Sequence, residues 1–355
     1  MNIPTSGSFN PEQTTAEQNP SSSSSAQNPP PALKHPNIPL QSHPMPQHLA
    51  SLHQELQNVR SDIEGMRQPG RKTRNSDLSN VRSIVESENR LKSGLNLRYF
   101  GDSHSFAQAL STAAPGARRE RAVFRVDNRP GGPHHAVADI RHQSGKPPTL
   151  FVVEPTTMGI YDHLFSHQDL VRNIRAYPGL KDARIAVIDA GAQKSPADCV
   201  IFSLSFASKM HKEEALFDDW HEKLAKGESI DPQTDGKKLA SGEPIIDGLQ
   251  VLPNSFFKHA HSMTQLFEQR PQIAHAPLGS ESTSSGSAKT LSERKERYSQ
   301  QRFTAEGQRT YNASIEFKRY NLLRRSIEMA ANTDTPSDDV GRKRKQEDIP
   351  KAFEI

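Results

Sequence analysis

The sequence contains a single cysteine, Cys199, so no disulfide can form within the chain. This sparse use of cysteine is typical of a reducing compartment. No apolar run approaches the roughly 20 residues that a membrane-spanning helix needs. The start of the chain lacks the basic and apolar regions of a secretory signal peptide, and Asn2 stands where N-myristoylation requires glycine.

Apolar residues make up only 33% of the chain and the mean hydropathy is −0.75, which predicts one core accompanied by substantial disorder. A formal net charge of +4 is too small to indicate direct nucleic-acid binding.

The stretch around Cys199 has the features of a nucleophilic cysteine. An apolar run at 183–188 predicts a short buried strand, and the apolar spacing of 200–210 predicts a helix with a buried face. Ser195 followed by Pro196 is typical of an N-cap and a first helical residue, which places Cys199 in the first turn. There the unpaired backbone N–H groups and the positive end of the helix dipole favour the thiolate. The alternative is that a lone cysteine serves as a small buried hydrophobic residue.

Residues upstream of Cys199 have the chemistry that a nucleophilic thiol needs. His134 and His135 begin an alternating strand, and Glu154 ends a second apolar strand, where its carboxylate can orient an imidazole. Gln193, on the same turn as the cysteine, carries amide N–H groups that can stabilise an oxyanion. Each residue alone is ordinary for a surface or loop position. Together they predict a triad of histidine, glutamate and cysteine, with either histidine as the base.

These residues resemble the YopJ family of type III secreted effectors, and most of all its plant-pathogen branch. The similarity covers roughly residues 80–330 and rests on four segments: His134–Asp139, Leu150–Pro155, Gln193–Leu204 and Asn254–His261. The resemblance implies an α+β fold with a core like that of SUMO-deconjugating cysteine proteases. In such a core, a mixed sheet is flanked by helices and accompanied by a helical regulatory region.

The same resemblance implies an activity and its site residues. The family acts as serine, threonine and lysine acetyltransferases that take acetyl from acetyl-CoA through a cysteine thioester and modify host signalling or immune proteins. His134 is then preferred over His135 as the base, because the family histidine lies five positions before the strand aspartate, here Asp139. Lys258 matches a lysine that becomes self-acetylated. Two alternatives stay open: an isopeptidase for SUMO or ubiquitin conjugates with the same triad, and a non-catalytic effector that binds host proteins.

Basic residues near the end of the chain predict a polyanion site. Relatives are activated by inositol hexakisphosphate, and a cluster of arginine and lysine can bind several phosphates. The residues expected to contribute are Lys318, Arg319 and Arg325, with Arg98 or Arg90 from the earlier part of the chain. A solvated basic helix face is the alternative. No metal site is expected, since a zinc site built from His221, His259 and His261 would lack a second cysteine or clustered carboxylates.

Composition and apolar spacing divide the chain into six segments. A helix capped by Ser76 or Asp77 and a helix at 255–268 are expected inside the core. The segments are a disordered secretion segment at 1–45, an amphipathic helix at 46–70, the catalytic core at 76–270, a flexible linker at 271–300, a basic helix at 301–332 that completes the regulatory region, and a disordered basic tail at 333–355.

Two of these segments suggest contacts or destinations. The amphipathic helix, with apolar residues from Leu49 to Met66, docks on the core or forms a short coiled coil. The basic run Gly341–Lys345 resembles a nuclear localisation signal. We therefore expect delivery by a type III system into the host cytoplasm, with the nucleus as a second destination.

Overall fold

The structure, a computed structural model, describes residues 33, 47–113, 116–126, 134–159, 161–231, 236–278, 290–304 and 307–333. The predicted disordered segments at 1–45 and 333–355 lie outside these residues, apart from 33 and 333, and so does the basic run at 341–345. Residues 279–289 of the predicted linker are also outside the described part of the chain.

The described residues form helices α1–α10 and strands β1–β8. The helices are α1 Gln47–Glu64, α2 Arg71–Leu91, α3 Ser103–Ser111, α4 Tyr161–Arg175, α5 Cys199–Lys212, α6 Glu214–Lys226, α7 Gly248–Val251, α8 Met263–Gln269, α9 Leu291–Tyr298 and α10 Ser314–Thr333. The strands are β1 Leu97–Phe100, β2 Arg118–Arg125, β3 His135–Gln143, β4 Lys146–Glu154, β5 Arg184–Asp189, β6 Ile245–Asp247, β7 Ser299–Thr304 and β8 Gly307–Asn312. Short 3₁₀ helices occupy Pro178–Leu180, Asn254–His259 and Pro271–Ile273.

Strands β1 to β6 form one mixed sheet in which each strand pairs with the next in chain order. β2, β3 and β4 are antiparallel neighbours, while β4, β5 and β6 run parallel. The carboxyl end of β4, at Glu154, therefore lies beside the start of β3, because Val137 of β3 pairs with Val153 of β4. This topology brings the segment before β3 and the end of β4 to the same edge of the sheet.

The sheet separates two apolar cores, because successive residues of a strand point to opposite faces. Phe151 and Val153 of β4 belong to the core that contains α5, whereas Leu150 and Val152 belong to the core that contains α3 and α4. Every residue of α5 from Cys199 to Met210 is buried, since this helix lies between the sheet and the other helices. The α+β fold with a mixed sheet flanked by helices, predicted from the sequence, is confirmed.

Helix α1 packs on the core, chiefly against α10. Its residues Leu49, Leu52, Leu56, Val59 and Ile63 are each at most 5% exposed. Met66, which the sequence spacing assigned to the same stripe, follows the end of the helix and is 58% exposed. Within the described residues, no helix combines the length and the apolar character that crossing a membrane requires.

Two predicted helix starts differ from the structure. Helix α5 begins at Cys199 with Asp198 as its N-cap, so the prediction that Ser195 and Pro196 start it is wrong. The Ser195 hydroxyl instead accepts a hydrogen bond from the Ala197 N–H and caps a turn that precedes the helix. Helix α2 begins at Arg71, and Asp77 lies in its interior, fully buried, because it pairs with a distant arginine rather than with the helix N-terminus.

Three predictions about the second half of the chain also differ from the structure. The expected helix at 255–268 is broken at 260–262, where the His261 N–H donates to the Ala192 carbonyl. The described part of the predicted linker contains α9, which has a capping box formed by Thr290 and Glu293. The hairpin β7–β8 occupies the start of the predicted basic helix, so the helix itself is α10 alone.

Candidate active site

His134 and Glu154 form a hydrogen-bonded pair at the sheet edge described above. The His134 Nε2 atom lies 2.8 Å from both Glu154 carboxylate oxygens. Glu154 is fully buried, and its Oε1 also accepts hydrogen bonds from the Thr156 N–H at 2.8 Å and the Thr156 hydroxyl at 2.7 Å. A second imidazole, His167 Nε2, lies 3.5 Å from Glu154 Oε2. The carboxylate is therefore fixed in place and oriented towards the His134 ring.

Cys199 lies at the first position of α5, facing both histidines. Its sulfur is 3.7 Å from His135 Nδ1, and it also interacts with the His134 side chain. The His135 ring is fully buried, stacks on Tyr99 and has its Nε2 atom 3.4 Å from the Tyr99 hydroxyl. Of the two histidines, His134 is the one that is hydrogen bonded to Glu154. The geometry thus provides a Cys199–His134–Glu154 chain, with His135 as a second ring beside the sulfur.

The three groups of this chain shift one another towards their charged forms. Burial alone raises the pKa of the Cys199 thiol, but His134 and His135 lower it to about 6. Burial alone lowers the pKa of His134, yet the Glu154 carboxylate and the Cys199 sulfur raise it to about 10. Despite burial, His134 also lowers the pKa of Glu154 to about 2. Near neutral pH the arrangement is therefore a thiolate beside an imidazolium, which is the attacking form of a cysteine.

Residues 193–198, here called the nucleophile turn, lead directly into Cys199. Gln193 is 2% exposed, its backbone N–H donates to the Pro155 carbonyl at 2.8 Å, and its side-chain Nε2 donates to the Ser195 carbonyl at 2.5 Å. One N–H of the Gln193 amide is thus engaged within the turn, and the amide carries a second. The role of Gln193 at an oxyanion stays a prediction.

A cavity of about 700 Å³ opens beside the nucleophile turn. Its lining includes Gly191, Lys194, Leu249 and Leu266, whereas Cys199, His134 and Glu154 are not part of that lining. A cavity with a mixed apolar and charged lining is typical of small-molecule sites.

The other end of α5 carries an unusual concentration of positive charge. We call it the basic cluster, and its members are Lys92, Lys209, Lys258, Lys318 and Arg325. Burial, followed by repulsion from Lys258 and Lys318, holds the pKa of Lys209 well below its usual value. Burial lowers the pKa of Lys318 to about 7, and Lys92, Arg325 and Lys258 add to this effect against the attraction of Glu88. Glu88 interacts with Lys92, Lys318 and Arg325, so positive charge is in excess among these residues.

The predicted polyanion residues divide between this cluster and other places. Lys318 and Arg325 lie in the cluster, where Arg325 is 2.5 Å from Glu88. Arg319 does not, because its guanidinium is fully buried on another face of α10 between Asp77 and Asp198. Arg98 lies over the Phe100 ring and 3.6 Å from Glu120, and Arg90 is an exposed residue of α2.

Lys258 lies in the basic cluster, where its side chain contacts Lys209, and the structure does not bring it to Cys199. At about 1.5 Å per residue, Lys209 is roughly 15 Å along α5 from the cysteine. Sequence reasoning missed Lys92 and Lys209 as cluster members. One signal was present for Lys209, which stands inside the buried apolar run of α5, where an isolated lysine is unusual.

The histidines considered from the sequence as a zinc set are held apart. His221 bonds to Asp139 at 2.9 Å and to Thr149 at 2.7 Å, and His259 lies beside Ser314. Among the described residues, His134, Glu154 and His163 each present a ligand atom within 4.8 Å of the others. This group overlaps the candidate active site, and its His134 and Glu154 already bond to each other.

The chain is similar in sequence to two curated acetyltransferases. The HopZ1a serine/threonine-protein acetyltransferase of Pseudomonas syringae pv. syringae is 34% identical over 208 residues, which is 53% of this chain and 56% of that protein. The acetyltransferase NGR_a02610 of Sinorhizobium fredii (strain NBRC 101917 / NGR234) is 35% identical over 158 residues, which is 44% of this chain and 58% of that protein. The alignments thus span less than two thirds of either curated relative.

Solved structures share the fold over a larger part of the chain. A crystal structure of HopZ1a in complex with IP6 has a TM-score of 0.63 and 25% identity, covering 79% of this chain and 98% of that chain. A deletion variant of AvrA with IP6 and CoA has a TM-score of 0.61 and 18% identity, with coverages of 79% and 98%. The family model described as YopJ serine/threonine acetyltransferase matches residues 52–325, which is most of the chain. The chain therefore belongs to the YopJ serine/threonine acetyltransferase family.

Proposed function

We propose that this protein is an acetyltransferase that moves an acetyl group from acetyl-CoA, through a thioester on Cys199, to serine, threonine or lysine side chains of host immune-signalling proteins. The observation that carries the proposal is the Cys199 sulfur beside the His134 ring, which is hydrogen bonded to Glu154 in a family of acetyltransferases. HopZ1a has been solved with both IP6 and CoA, which supports the choice of acyl donor and activator.

In the first half-reaction, the Cys199 thiolate attacks the carbonyl carbon of the acetyl thioester and forms a new C–S bond. The negative charge moves to the carbonyl oxygen, which the backbone N–H of Cys199 and the second N–H of the Gln193 amide would stabilise. When the tetrahedral intermediate collapses, the bond to CoA breaks, and the imidazolium of His134 gives its proton to the departing CoA sulfur. The acyl donor approaches through the cavity beside the nucleophile turn.

In the second half-reaction, neutral His134 acts as the base. It takes the proton of the acceptor hydroxyl or amine while the acceptor atom attacks the thioester carbon, and Cys199 leaves as a thiolate. Glu154 holds the His134 ring and stabilises its protonated form in both steps. The first half-reaction leaves Cys199 acetylated and His134 neutral, and the second restores the thiolate–imidazolium pair.

We assign inositol hexakisphosphate to the basic cluster as an activator. A polyanion supplies negative charge that stabilises the protonated form of buried lysines whose pKa values are lowered. Charge-assisted hydrogen bonds from lysine and arginine to phosphates are also strong. A ligand that binds only the ordered state favours that state by RT ln(1 + [L]/Kd). Lys318 and Arg325 are retained from the sequence prediction, and Lys92, Lys209 and Lys258 join them.

Delivery by a type III system into the host cell follows from the family, with the host cytoplasm as the place of action. A metabolite of the host would then switch the enzyme on only after delivery. The basic run at 341–345 is the feature that would direct it to the nucleus.

The direct test is incubation of the purified full chain with radiolabelled acetyl-CoA and a candidate acceptor protein, with and without inositol hexakisphosphate. We expect label on the enzyme and on the acceptor in wild type, an increase with the polyanion, and no label with Cys199→Ala. Equal labelling by Cys199→Ala would contradict the thioester mechanism. Cleavage of a SUMO or ubiquitin conjugate without any labelling would identify an isopeptidase instead.

A further inference from the structure

Arg319 of α10 connects the far side of the molecule to the residue before the nucleophile. Its Nε atom donates to Asp77 of α2 at 3.0 and 3.1 Å from the two carboxylate oxygens. Its Nη2 atom donates to Asp198 Oδ1 at 2.5 Å. Arg319 and both carboxylates are fully buried, and Asp198 is the N-cap of α5, directly before Cys199. A single guanidinium thus joins α2 and α10 to the nucleophile turn.

His261 holds the same turn from a second direction. Its Nδ1 atom accepts hydrogen bonds from the backbone N–H of Lys194 at 2.9 Å and of Ser195 at 3.1 Å. The opposite ring atom, Nε2, is therefore the protonated one, and it lies 3.4 Å from Asp198 Oδ2 and 3.0 Å from the Tyr311 hydroxyl. Arg319 and His261 keep the pKa of Asp198 well below its usual range despite burial, so Asp198 is a carboxylate.

The elements that hold the nucleophile turn also carry the basic cluster. Lys318 directly precedes Arg319 on α10, and consecutive residues of a helix point to faces about 100° apart. Lys258 lies just before His261, and its backbone carbonyl accepts a hydrogen bond from the Ser314 hydroxyl at the start of α10. Helix α10 thus contributes Lys318 to the cluster and Arg319 to the turn. The segment 254–261 likewise contributes Lys258 to the cluster and His261 to the turn.

This arrangement would make the position of the turn depend on the charge state of the cluster. With no polyanion, burial and the neighbouring Lys258 and Lys318 oppose protonation of Lys209 on α5. Protonating these lysines without an anion would push α10 and the Asn254–His259 segment away from α5, and the same movement would withdraw Arg319 from Asp198. A polyanion bridging the cations would oppose this movement. A buried carboxylate that loses its arginine is destabilised, so Asp198 and the turn would rearrange with it.

We propose that Arg319 is the positioning residue through which polyanion binding at the basic cluster orders the nucleophile turn and activates Cys199. The proposal rests on the proposed function of the cluster, and it adds the link to the active site. Arg319 itself touches neither the acyl group nor the polyanion; it acts through Asp198.

The experiment measures two quantities on the full chain: the Kd of inositol hexakisphosphate by calorimetry, and the rate of Cys199 alkylation by iodoacetamide with and without the polyanion. Since coupling between sites is typically about 5- to 150-fold, we expect the polyanion to raise the wild-type alkylation rate by that order. Arg319→Gln should bind the polyanion with a Kd within about threefold of the wild-type value. In this variant the polyanion should raise the alkylation rate by less than about twofold, which is below the usual range of coupling between sites. A purely structural role of Arg319 would weaken binding and stimulation together.

Three further variants make the result specific. Arg319→Lys should restore part of the increase in alkylation rate, because a lysine ammonium can form a strong ion pair with one of the two carboxylates but not with both. Arg324→Gln removes a neighbouring arginine of α10 that pairs with Glu328, and it should leave both quantities at wild-type values. If Arg319→Gln does not fold, the combined variant Asp77→Asn, Arg319→Met and Asp198→Asn removes the guanidinium together with both carboxylates that pair with it.

The outcomes separate the two proposals. Wild-type stimulation in a folded Arg319→Gln or in the combined variant would overturn the coupling through Arg319 and leave the polyanion site intact. Absence of polyanion binding to the wild-type chain would contradict the function proposed for the basic cluster, and the coupling would fall with it.

Discussion

The two ends of α5 treat buried charge in opposite ways. At the amino end, charges of opposite sign meet: Cys199 with His134, His134 with Glu154, and Asp198 with Arg319. At the carboxyl end, Lys209 meets other cations, and Glu88 is the acidic residue that offsets them. The helix dipole stabilises cations at this end of α5, but this stabilisation is far smaller than the destabilisation caused by their burial and mutual repulsion. In the structure the buried charges at the amino end pair with one another, whereas the cations at the carboxyl end lack an anion that a bound polyanion would supply.

The largest expected effect concerns the amino end and the choice between its two histidines. His134→Gln should lower the rate of thioester formation by about 10²- to 10⁴-fold, because it removes the group that exchanges protons with the reacting atoms. His135→Gln is the matched variant, and its loss should be smaller, since His135 contacts the sulfur but is not hydrogen bonded to Glu154. Single-turnover assays with acetyl-CoA measure both. Equal losses would mean that the two rings share the role.

The second effect is the pH at which Cys199 becomes reactive. Its pKa of about 6 lies below that of a free cysteine, so the thiolate exists above that pH and is lost as the pH falls through it. At pH 7 this corresponds to a thiolate fraction about 30-fold higher than for a free cysteine with a pKa of about 8.5. Alkylation rates measured from pH 5 to 9 should therefore reach half their maximum near pH 6. His134→Gln should move this midpoint to higher pH, and an unmoved midpoint would show that the ring does not stabilise the thiolate.

The third effect tests the carboxyl end. Inositol hexakisphosphate at 100 times its Kd should stabilise the folded protein by about 2.7 kcal/mol, which thermal unfolding followed by fluorescence detects as a higher Tm. Salt should reduce the gain, because exposed parts of the ligand are screened. Lys318→Ala should diminish the shift in Tm. Arg90→Ala is the control, since Arg90 is exposed, and a loss of the shift in that variant would place the ligand elsewhere.

The smallest expected effect is a change in the free energy of unfolding, and its sign distinguishes the carboxyl end of α5 from the amino end. Lys209→Met replaces a buried amine whose protonation is opposed by burial and by the neighbouring Lys258 and Lys318, so it should raise the free energy of unfolding without polyanion by about 0.5–2 kcal/mol while weakening polyanion binding. Lys223→Met, at a partly exposed position of α6 that pairs with Asp219, should change stability by no more than about 0.5 kcal/mol. Urea denaturation measures both variants. Destabilisation by Lys209→Met would show that its charge is already compensated.

The two ends also differ in how far the sequence predicts them. His134, Glu154 and Cys199 follow from local signals, because a strand end and a helix start each place one polar residue at the edge of a sheet. The α+β fold and the elements around the site were predictable for the same reason. The exact start of α5 was not, since Asp198 rather than Ser195 became the N-cap through its partners in distant segments.

The basic cluster depends on residues that only the folded chain brings together. Lys92, Lys209 and Lys258 come from three separate elements, and nothing in their local sequence indicates a shared site. Arg319 shows the opposite error: its neighbours in sequence are basic, yet its neighbours in space are Asp77 and Asp198. The density of basic residues in the sequence predicted a polyanion site, but Arg319, Arg98 and Arg90 lie outside the basic cluster that the structure brings together.

The buried network of Asp77, Asp198 and Arg319 has a consequence for biosynthesis. The arginine follows Asp77 by 242 positions and Asp198 by 121, and a chain is synthesised from its amino end. Both carboxylates are made, and for a time remain solvated, before their common partner leaves the ribosome. A nascent or prematurely terminated chain that stops short of α10 is therefore expected to hold a thiol of ordinary reactivity, which would spare the producing cell from a partly made enzyme.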